Sequence, residues 1–376
     1  MTKASQTLYT TDYYLERMLY LDGSQGEGGG QILRTALALS TLTKTSFEMQ
    51  HIRKGRKDAG IKNQHLFCIK ALEKLCNAKT TNAKLGSSNV MYMPGEVKGG
   101  IITIDIETAG SITLLLQSTI LPALFAEKRT KFRLTGGTDV QWSMSIDYFR
   151  HVVMPHLVKY ADLELKLEKR GYYPEGGGHI ELTIKPKYHL KEYESFLSMM
   201  DDFRKNKSKI DLLEQGKIVN ISGISHASMN LQNANVAERQ AKAARTILSK
   251  FNCPVNIDTI YCDTHGIGSG ITVWARFSKG NEEKDYANPV ILGADAFGEK
   301  GLPSEDVGRI AAEKLAKEID SGACVDQHLA DNLIPFLAFG GEMKVVNMTE
   351  HTKTNIWTTE QFLGKIFKVD GNIIRV

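Results

Sequence analysis

Two short strings, Glu27-Gly-Gly-Gly-Gln31 and Glu175-Gly-Gly-Gly-His179, constrain this chain more than any other feature. The first follows Met18-Leu-Tyr-Leu21, which reads as a short strand, and precedes Gln31 to Leu42, whose apolar residues recur at helical spacing. Three glycines at a strand-to-helix junction strip side chains from the first helical turn. The backbone N–H groups and the helix dipole then suit an anion such as phosphate. The second string echoes the first after another apolar strand candidate, and Thr135-Gly-Gly137 closes a further one. The chain therefore reads as a βαβα unit used more than once.

The flanking segments fit that unit. Asn63 is placed to cap a helix with Leu66, Ile69, Leu72 and Leu75 on its apolar face. Ile101 to Ile106 alternates as a strand, Ser111 to Phe125 returns to helix, and Thr130 to Leu134 to strand. From Lys185 to Tyr286 the glycine triplets stop, and Lys, Asp and Glu become dense around Lys191 to Lys217. This stretch, 185–286, reads as a smaller inserted domain with a helix over Asn235 to Phe251. Residues 1–184 and 287–376 then form the larger scaffold. Such an insertion is easy where the scaffold's ends lie close together.

Composition narrows the class. At about 150 residues per domain, 376 residues make two or three. A chain 42% hydrophobic and 24% charged is globular and neither collagen-like nor disordered. Lys and Arg total 47 against 43 Asp and Glu, so any nucleic-acid site must come from local charge, not the net +4. No apolar run reaches the ~18–20 residues of a membrane span; Ile112 to Ala126 is broken by Gln117, Ser118 and Pro122. Met1 to Arg17 lacks the apolar core of a signal peptide. Five cysteines without a CxxC point to a reducing, cytoplasmic setting (nucleoplasm in a eukaryote) and no zinc site.

Three clusters carry candidate chemistry. Glu27 sits beside the glycine turn, where a carboxylate would repel a phosphate unless a divalent cation lay between them; the alternative is a solvated Glu in a tight turn. Gln31 and Arg34 share one helix face near the same N-terminus, and Arg34 can reach an anion there. His51-Ile-Arg-Lys-Gly-Arg-Lys57, followed by Lys62 and His65, is a basic loop suited to a phosphorylated polymer end; its alternative is a solvated charged face. Near the C-terminus, Ser304 is placed to cap a helix over Glu305 to Ile319. In Asp326-Gln-His-Leu-Ala-Asp331, His328 and Asp331 lie off the Leu329–Leu333–Leu337 stripe and can touch, as a nucleophile or base with its orienting carboxylate or as a surface pair. Pro335 takes a donor from the carbonyl of Asp331.

Together these strings resemble the RNA 3′-terminal phosphate cyclase family. The matching pieces are Leu21-Asp-Gly-Ser-Gln-Gly-Glu-Gly-Gly-Gly-Gln-Ile-Leu-Arg34, Ile52-Arg-Lys-Gly-Arg56 with Gln64-His-Leu66, Thr108 to Gln117, Gly136-Gly-Thr-Asp139, Gly171 to Gly178, Gly298 to Gly308 and Asp326 to Asp331. They run in order over nearly the whole chain. The resemblance implies an α/β (α+β) fold. Its large domain has three repeats, each a four-stranded sheet backed by two helices, with a smaller α/β domain inserted.

The resemblance also implies a ligase-type, ATP-dependent RNA-processing reaction. His328 would take AMP from ATP with release of pyrophosphate, with Asp331 assisting. AMP would pass to an RNA 3′-phosphate, and the 2′-OH would then close a 2′,3′-cyclic phosphate and release AMP. By position, Gln31, Arg34, Gln117 and Pro303, Ser304, Glu305, Asp306 and Val307 would hold the nucleotide. Arg53, Arg56 and His65 would hold the RNA end, and Glu27 a divalent metal (Mg2+ or Mn2+). The partner is RNA with a 3′-phosphate end, with no membrane; the oligomeric state stays open, a homodimer included. This chain departs from the family pattern at Ala59, Gln141, Met144 and Ser145, the last three near the family's adenine pocket. A cyclase-like ribosome-assembly protein would lack the nucleophilic His, and an enolpyruvyl transferase would need basic residues for phosphoenolpyruvate.

Overall fold

A computed structural model describes residues 18–207, 209–280 and 285–376. Its four sheets have four strands each, and three of them share one topology. The first sheet is β1 (Leu19–Asp22), β2 (Phe47–Gln50), β3 (Lys79–Thr81) and β4 (Val90–Met93), in the order β1-β2-β4-β3. The second, β5 (Gly100–Asp105), β6 (Thr130–Gly136), β7 (Ala161–Lys169) and β8 (Gly178–Pro186), has the order β5-β6-β8-β7. The third uses β9 (Ile210–Leu212), β14 (Gly341–Lys344), β15 (Lys368–Asp370) and β16 (Ile373–Arg375) in the order β9-β14-β16-β15. In each, the first two strands pair in parallel and the rest antiparallel. Parallel neighbours need a crossover, and a helix supplies it.

Those crossover helices are equivalent: Gln31–Thr43, Ile112–Ala123 and Gln327–Leu337. A second helix follows the second strand of each unit: Asn63–Cys76, the helical stretch 146–157 with a π-turn at Phe149–Val153, and Glu350–Leu363. The Gln31 helix is buried over nearly its whole length, from Gln31 to Leu42, because it packs on both the Ile112–Ala123 and Glu350–Leu363 helices. An apolar helix without a polar face has to sit inside such a layer.

The fourth sheet, β10 (Lys217–Ser228), β11 (Val255–Cys262), β12 (Ser269–Ser278) and β13 (Ile291–Phe297), has a different order, β11-β10-β12-β13. The Val236–Leu248 and Ser304–Asp320 helices pack together on it. It lies between β9 and the Gln327–Leu337 helix, inside the third repeat. The inserted unit therefore runs from β10 to the end of the Ser304–Asp320 helix, not over 185–286. The earlier bounds would cut β12 from its antiparallel partner β13. They would also leave out the Ser304–Asp320 helix, one of the two that cover the sheet, and take in β9, which pairs with β14 of the third repeat. Strand pairing is a tertiary fact that a change in charge density does not track.

The glycine echo also resolves differently. The triplet at 28–30 leads into a helix, whereas 176–178 leads into β8, the last strand of its repeat. The repeated unit is real, but the two triplets are not equivalent positions in it. Ser304 is not the N-cap of its helix; Pro303 is, with no side-chain cap. Likewise Lys62, not Asn63, caps the helix that begins at Asn63.

A buried ionic network joins the second repeat to the inserted sheet. Arg170 donates to Asp139 at 3.0 Å and Asp147 at 2.6 Å, and His226 of β10 lies 3.4 Å from Asp139. The Tyr172 hydroxyl meets His226 Nδ1 at 2.8 Å. Asp139, Asp147 and His226 are close enough to hold a cation, but Arg170 already supplies the countercharge. Burial works against the Asp139 carboxylate, yet Arg170 and His226 keep it below the ordinary range. No helix among the described residues is long and apolar enough to cross a membrane.

Candidate active site

The three equivalent crossover helices bring their polar residues to one place. Arg34 Nε donates to Gln117 Oε1 at 2.9 Å, and Gln117 Nε2 donates to Asn332 Oδ1 at 3.2 Å. Asn332 Nδ2 then donates to the His328 carbonyl at 2.7 Å. One chain of hydrogen bonds thus runs from the first repeat through the second to the third. Arg34 is 8% exposed, and burial holds its guanidinium down at about 10. A cavity of about 30 Å3, room for about one water, is lined by Gln31, Thr35, Gln117, Met144 and Asp331.

His328 stands exposed at the start of its helix. Asp326 caps that helix, accepting from His328 N at 3.0 Å and Leu329 N at 2.9 Å. The Tyr148 ring meets the His328 ring edge-on, centroids 6.1 Å apart. The hydrogen bond expected between Asp331 and the His328 ring is not formed. The Asp331 carboxylate accepts instead from Thr352 Oγ1 at 2.9 Å and Thr349 Oγ1 at 3.4 Å, turned toward the cap of the Glu350–Leu363 helix. Burial pushes it up to about 7. Residues three apart share a helix face, but here another helix competes for the carboxylate.

Pro335 acts as its chemistry requires. The Asp331 carbonyl it frees accepts from Asn355 Nδ2 at 2.7 Å, and Asn355 Oδ1 accepts from Thr35 Oγ1 at 2.7 Å. The missing ladder bond is thus replaced by a bridge between the first and third repeats.

The glycine turn and the basic loop face each other. Glu27 Oε2 lies 3.0 Å from Arg56 and 3.3 Å from His351 Nε2. His65 is 1% exposed; Lys62 N donates to its Nδ1 at 3.2 Å, so the proton sits on Nε2, which has no partner. A β-carbon on Gly30 would overlap that nitrogen. Burial first, then Arg34, Arg53 and Lys62, hold the ring neutral, well below its ordinary range. A buried, unpaired N–H aimed at a helix N-terminus is a ready donor for an incoming acceptor. Arg53 is partly spoken for, donating to the carbonyls of Asp58 at 2.6 Å and Gly60 at 3.3 Å.

Pro303 to Val307 stand apart from this group. Glu305 is held by Arg239 at 2.6 Å and Asp306 by Arg309 at 3.1 Å. None of the hydrogen bonds or ion pairs of these residues reaches Arg34, Gln117 or His328. The loop just before them is tied to the second repeat where Gln141 donates to Glu299 at 2.7 Å. Ser145 caps the Tyr148 helix. So the departures at Gln141, Met144 and Ser145 have local partners. Sequence reasoning missed Tyr148, Asp326, Asn332, His351 and Asn355. Only Asp326 carried a signal, an Asp just before an apolar helical stripe.

Comparison with known proteins identifies the family. The family model described as RNA 3′-terminal phosphate cyclase matches residues 25–369. The chain is 45% identical to the RNA 3′-terminal phosphate cyclase of Pyrococcus furiosus over 358 residues, 95% of this chain and 96% of that one. It is 41% identical to the protein of the same name from Methanosarcina mazei over 362 residues, 94% of this chain and 97% of that one. With a family match over most of the chain and relatives at this identity, the chain belongs to the RNA 3′-terminal phosphate cyclase family of ligase-type enzymes.

Proposed function

We propose that this protein uses ATP to convert an RNA 3′-phosphate into a 2′,3′-cyclic phosphate through a covalent His328–AMP. The observation that carries the reading is the chain Arg34–Gln117–Asn332–His328, which joins polar side chains of all three repeats and ends on the backbone carbonyl of His328, whose side chain is exposed beside it. The names of the relatives supply the substrate class. Imidazole is a competent nucleophile at neutral pH because its ordinary pKa is about 6.5.

In the first step His328 Nε2 bonds to the α-phosphorus as pyrophosphate departs. The 3′-phosphate of RNA then displaces the imidazole, giving an RNA-adenylate anhydride. Finally the neighbouring 2′-OH attacks the RNA 3′-phosphorus of that anhydride, the bond to the bridging oxygen breaks, and AMP leaves. Positioning and charge neutralisation carry most of such phosphoryl chemistry. Arg34 and the open N–H groups after Gly30 suit the nucleotide phosphates, with Gln31 and Gln117 beside them. Pro303, Ser304, Glu305, Asp306 and Val307 are a further nucleotide contact only if the inserted unit moves its helix toward His328.

Arg56, Arg53 and the unpaired Nε2–H of His65 suit the RNA phosphate. Glu27, with His351 beside it, would offer one carboxylate to a divalent ion arriving on the nucleotide once Arg56 gives up its 3.0 Å ion pair for a phosphate; such ions keep waters and take one or two protein carboxylates. When bound, the ion would neutralise phosphate charge. The Asp331 role becomes indirect, fixing its helix through Thr352.

The test is incubation with α-labelled ATP and Mg2+ or Mn2+, then acid. Labelled protein that loses AMP in acid, and a His328→Ala variant that neither labels nor cyclises, are expected. The variant should still cyclise RNA that is already adenylylated at its 3′-phosphate. Label on a lysine, or label that survives in His328→Ala, overturns the proposal. A wild type that never labels would favour a non-catalytic assembly role.

A further inference from the structure

We infer that the first repeat carries a track for the RNA backbone upstream of the terminal phosphate, built from Lys54, Lys57 and Lys84. This rests on the reading that the RNA 3′-phosphate sits at Arg56 and His65, and it is independent of which residue carries AMP.

The sheet places three loops side by side. β1 and β2 are parallel and β4 is antiparallel to both β2 and β3, so β1, β2 and β3 all point the same way. The loops that follow them are the glycine turn, residues 51–62 and residues 82–88. All three therefore leave the sheet at one end, and the order β1-β2-β4-β3 spreads them over three strand spacings, ~14 Å. Backbone hydrogen bonds join the second loop to the third: Ile52 N donates to Ser88 O, Ile61 N to Ser87 O and Gly86 N to Ile61 O, each at 2.9 Å. The first two loops touch, since a β-carbon on Gly28 would lie 3.5 Å from Gly55 N. One continuous ridge thus leads from the glycine turn, past Arg56, to Lys84.

Charge on the ridge is one-sided. Arg53, Lys54, Arg56, Lys57, Lys62 and Lys84 stand against Asp58 and Glu27, an excess as large as the whole chain's +4. Glu27 pairs with Arg56, and Asp58 lies 3.8 Å from Lys62. Lys54, Lys57 and Lys84 are exposed and have no acidic partner at ion-pair distance among the described residues. The cations act on one another: burial first, and then Arg56, lowers the Arg53 guanidinium. The backbone beneath them is strained as well, with His51 and Arg53 in left-handed conformation at φ 54° and 55°. Two turns hold it there, Lys54 N donating to His51 O at 3.1 Å and Arg56 N to Arg53 O at 3.0 Å. A loop that only has to be soluble gains nothing from strain and repulsion together, whereas a polyanion laid along the ridge relieves the repulsion. Neither 51–62 nor 82–88 contains an aromatic residue, and Leu85 is the one large apolar side chain exposed on them. Without rings to stack on bases, the ridge reads phosphates and not sequence.

The test compares RNA lengths. Fluorescence anisotropy measures binding of a 3′-phosphorylated dinucleotide and of 3′-phosphorylated oligouridylate and oligoadenylate of about 12 nucleotides, over a range of salt. Wild type should bind both long RNAs alike and more tightly than the dinucleotide. Lys54→Ala, Lys57→Ala and Lys84→Ala should each lower the salt slope for long RNA by about 0.7 and weaken it about 5–10-fold at ~50 mM salt. Dinucleotide affinity should stay put, and a long RNA with a 3′-hydroxyl should lose the same factor as its phosphorylated form. Equal wild-type affinity for long and short RNA overturns the track, as does a wild-type salt slope in the triple variant or an equal loss on the dinucleotide. A strong preference between the two homopolymers overturns readout through phosphates. Cyclisation is read in the same samples. A protein that binds with this length dependence but never closes the phosphate defeats the proposed reaction and leaves the track standing, so the two failures are separable.

Discussion

Gly30 has ordinary right-handed backbone angles, φ −75° and ψ −8°, so its need for glycine is one of space alone. The His65 ring occupies the volume a methyl would take. Gly30→Ala should cost about 1–3 kcal/mol as an overpacked site, and RNA cyclisation should fall as the ring is displaced. In the double variant Gly30→Ala with His65→Ala most of the stability loss should vanish, as paired urea titrations would show. Arg56 is the better exposed of the two loop arginines. Arg56→Ala should lower the salt slope of RNA binding by about 0.7–0.9 and leave labelling without RNA intact; filter binding from low to high salt measures it. At this scale the sequence was readable where a residue's role is intrinsic. An exposed His off the apolar stripe, an Arg one turn into a glycine-opened helix and a proline without a donor are all visible from spacing. The partner of Asp331 was not, because Thr352 arrives from a different helix.

The helices that spacing does predict were legible to within a few residues because burial imposes period 3.6 on a chain wherever it packs one face. The helical stretch 146–157, Phe196–Asn206 and Glu350–Leu363 went unread. The Ile112–Ala123 and Val236–Leu248 helices lie inside the spans that spacing predicts. Strand partnership was not legible: β9 has three residues, and nothing local says that it joins β14. The same is true of the bridge made at Pro335. Asn355 is 2% exposed and satisfies both the Asp331 carbonyl and the Thr35 hydroxyl. Asn355→Ala should therefore cost about 1–3 kcal/mol. Pro335→Ala would return an N–H to the Asp331 carbonyl, so the double variant should lose less than the two single losses combined. Denaturant midpoints of all four proteins complete the cycle; strict additivity would mean that Asn355 is not answering the proline.

For the molecule as a whole, two buried acids set the response to alkali. Burial raises Glu318 from 4.5 to about 8 and Asp331 from 3.8 to about 7. Each holds a proton in the folded state that the unfolded chain releases. Their contribution is therefore complete below the ordinary carboxylate range, declines as pH rises toward 7–8, and is gone above it, with a slope of at most about 1.4 kcal/mol per pH unit for each group. Stability should fall between pH 5 and pH 8, and Glu318→Gln should flatten that fall. Equal slopes in urea titrations of wild type and variant would mean that Glu318 is ionised in the fold. The position of the inserted sheet bears on how the chain is made. On a ribosome β9 emerges early but waits, while the whole inserted sheet and its two helices are synthesised, before β14 exists to pair with it. β16, the neighbour of β14 on its other side, comes later still. The repeat that carries His328 is thus the last to close, and a nascent chain displays the imidazole before the sheet beneath it is finished.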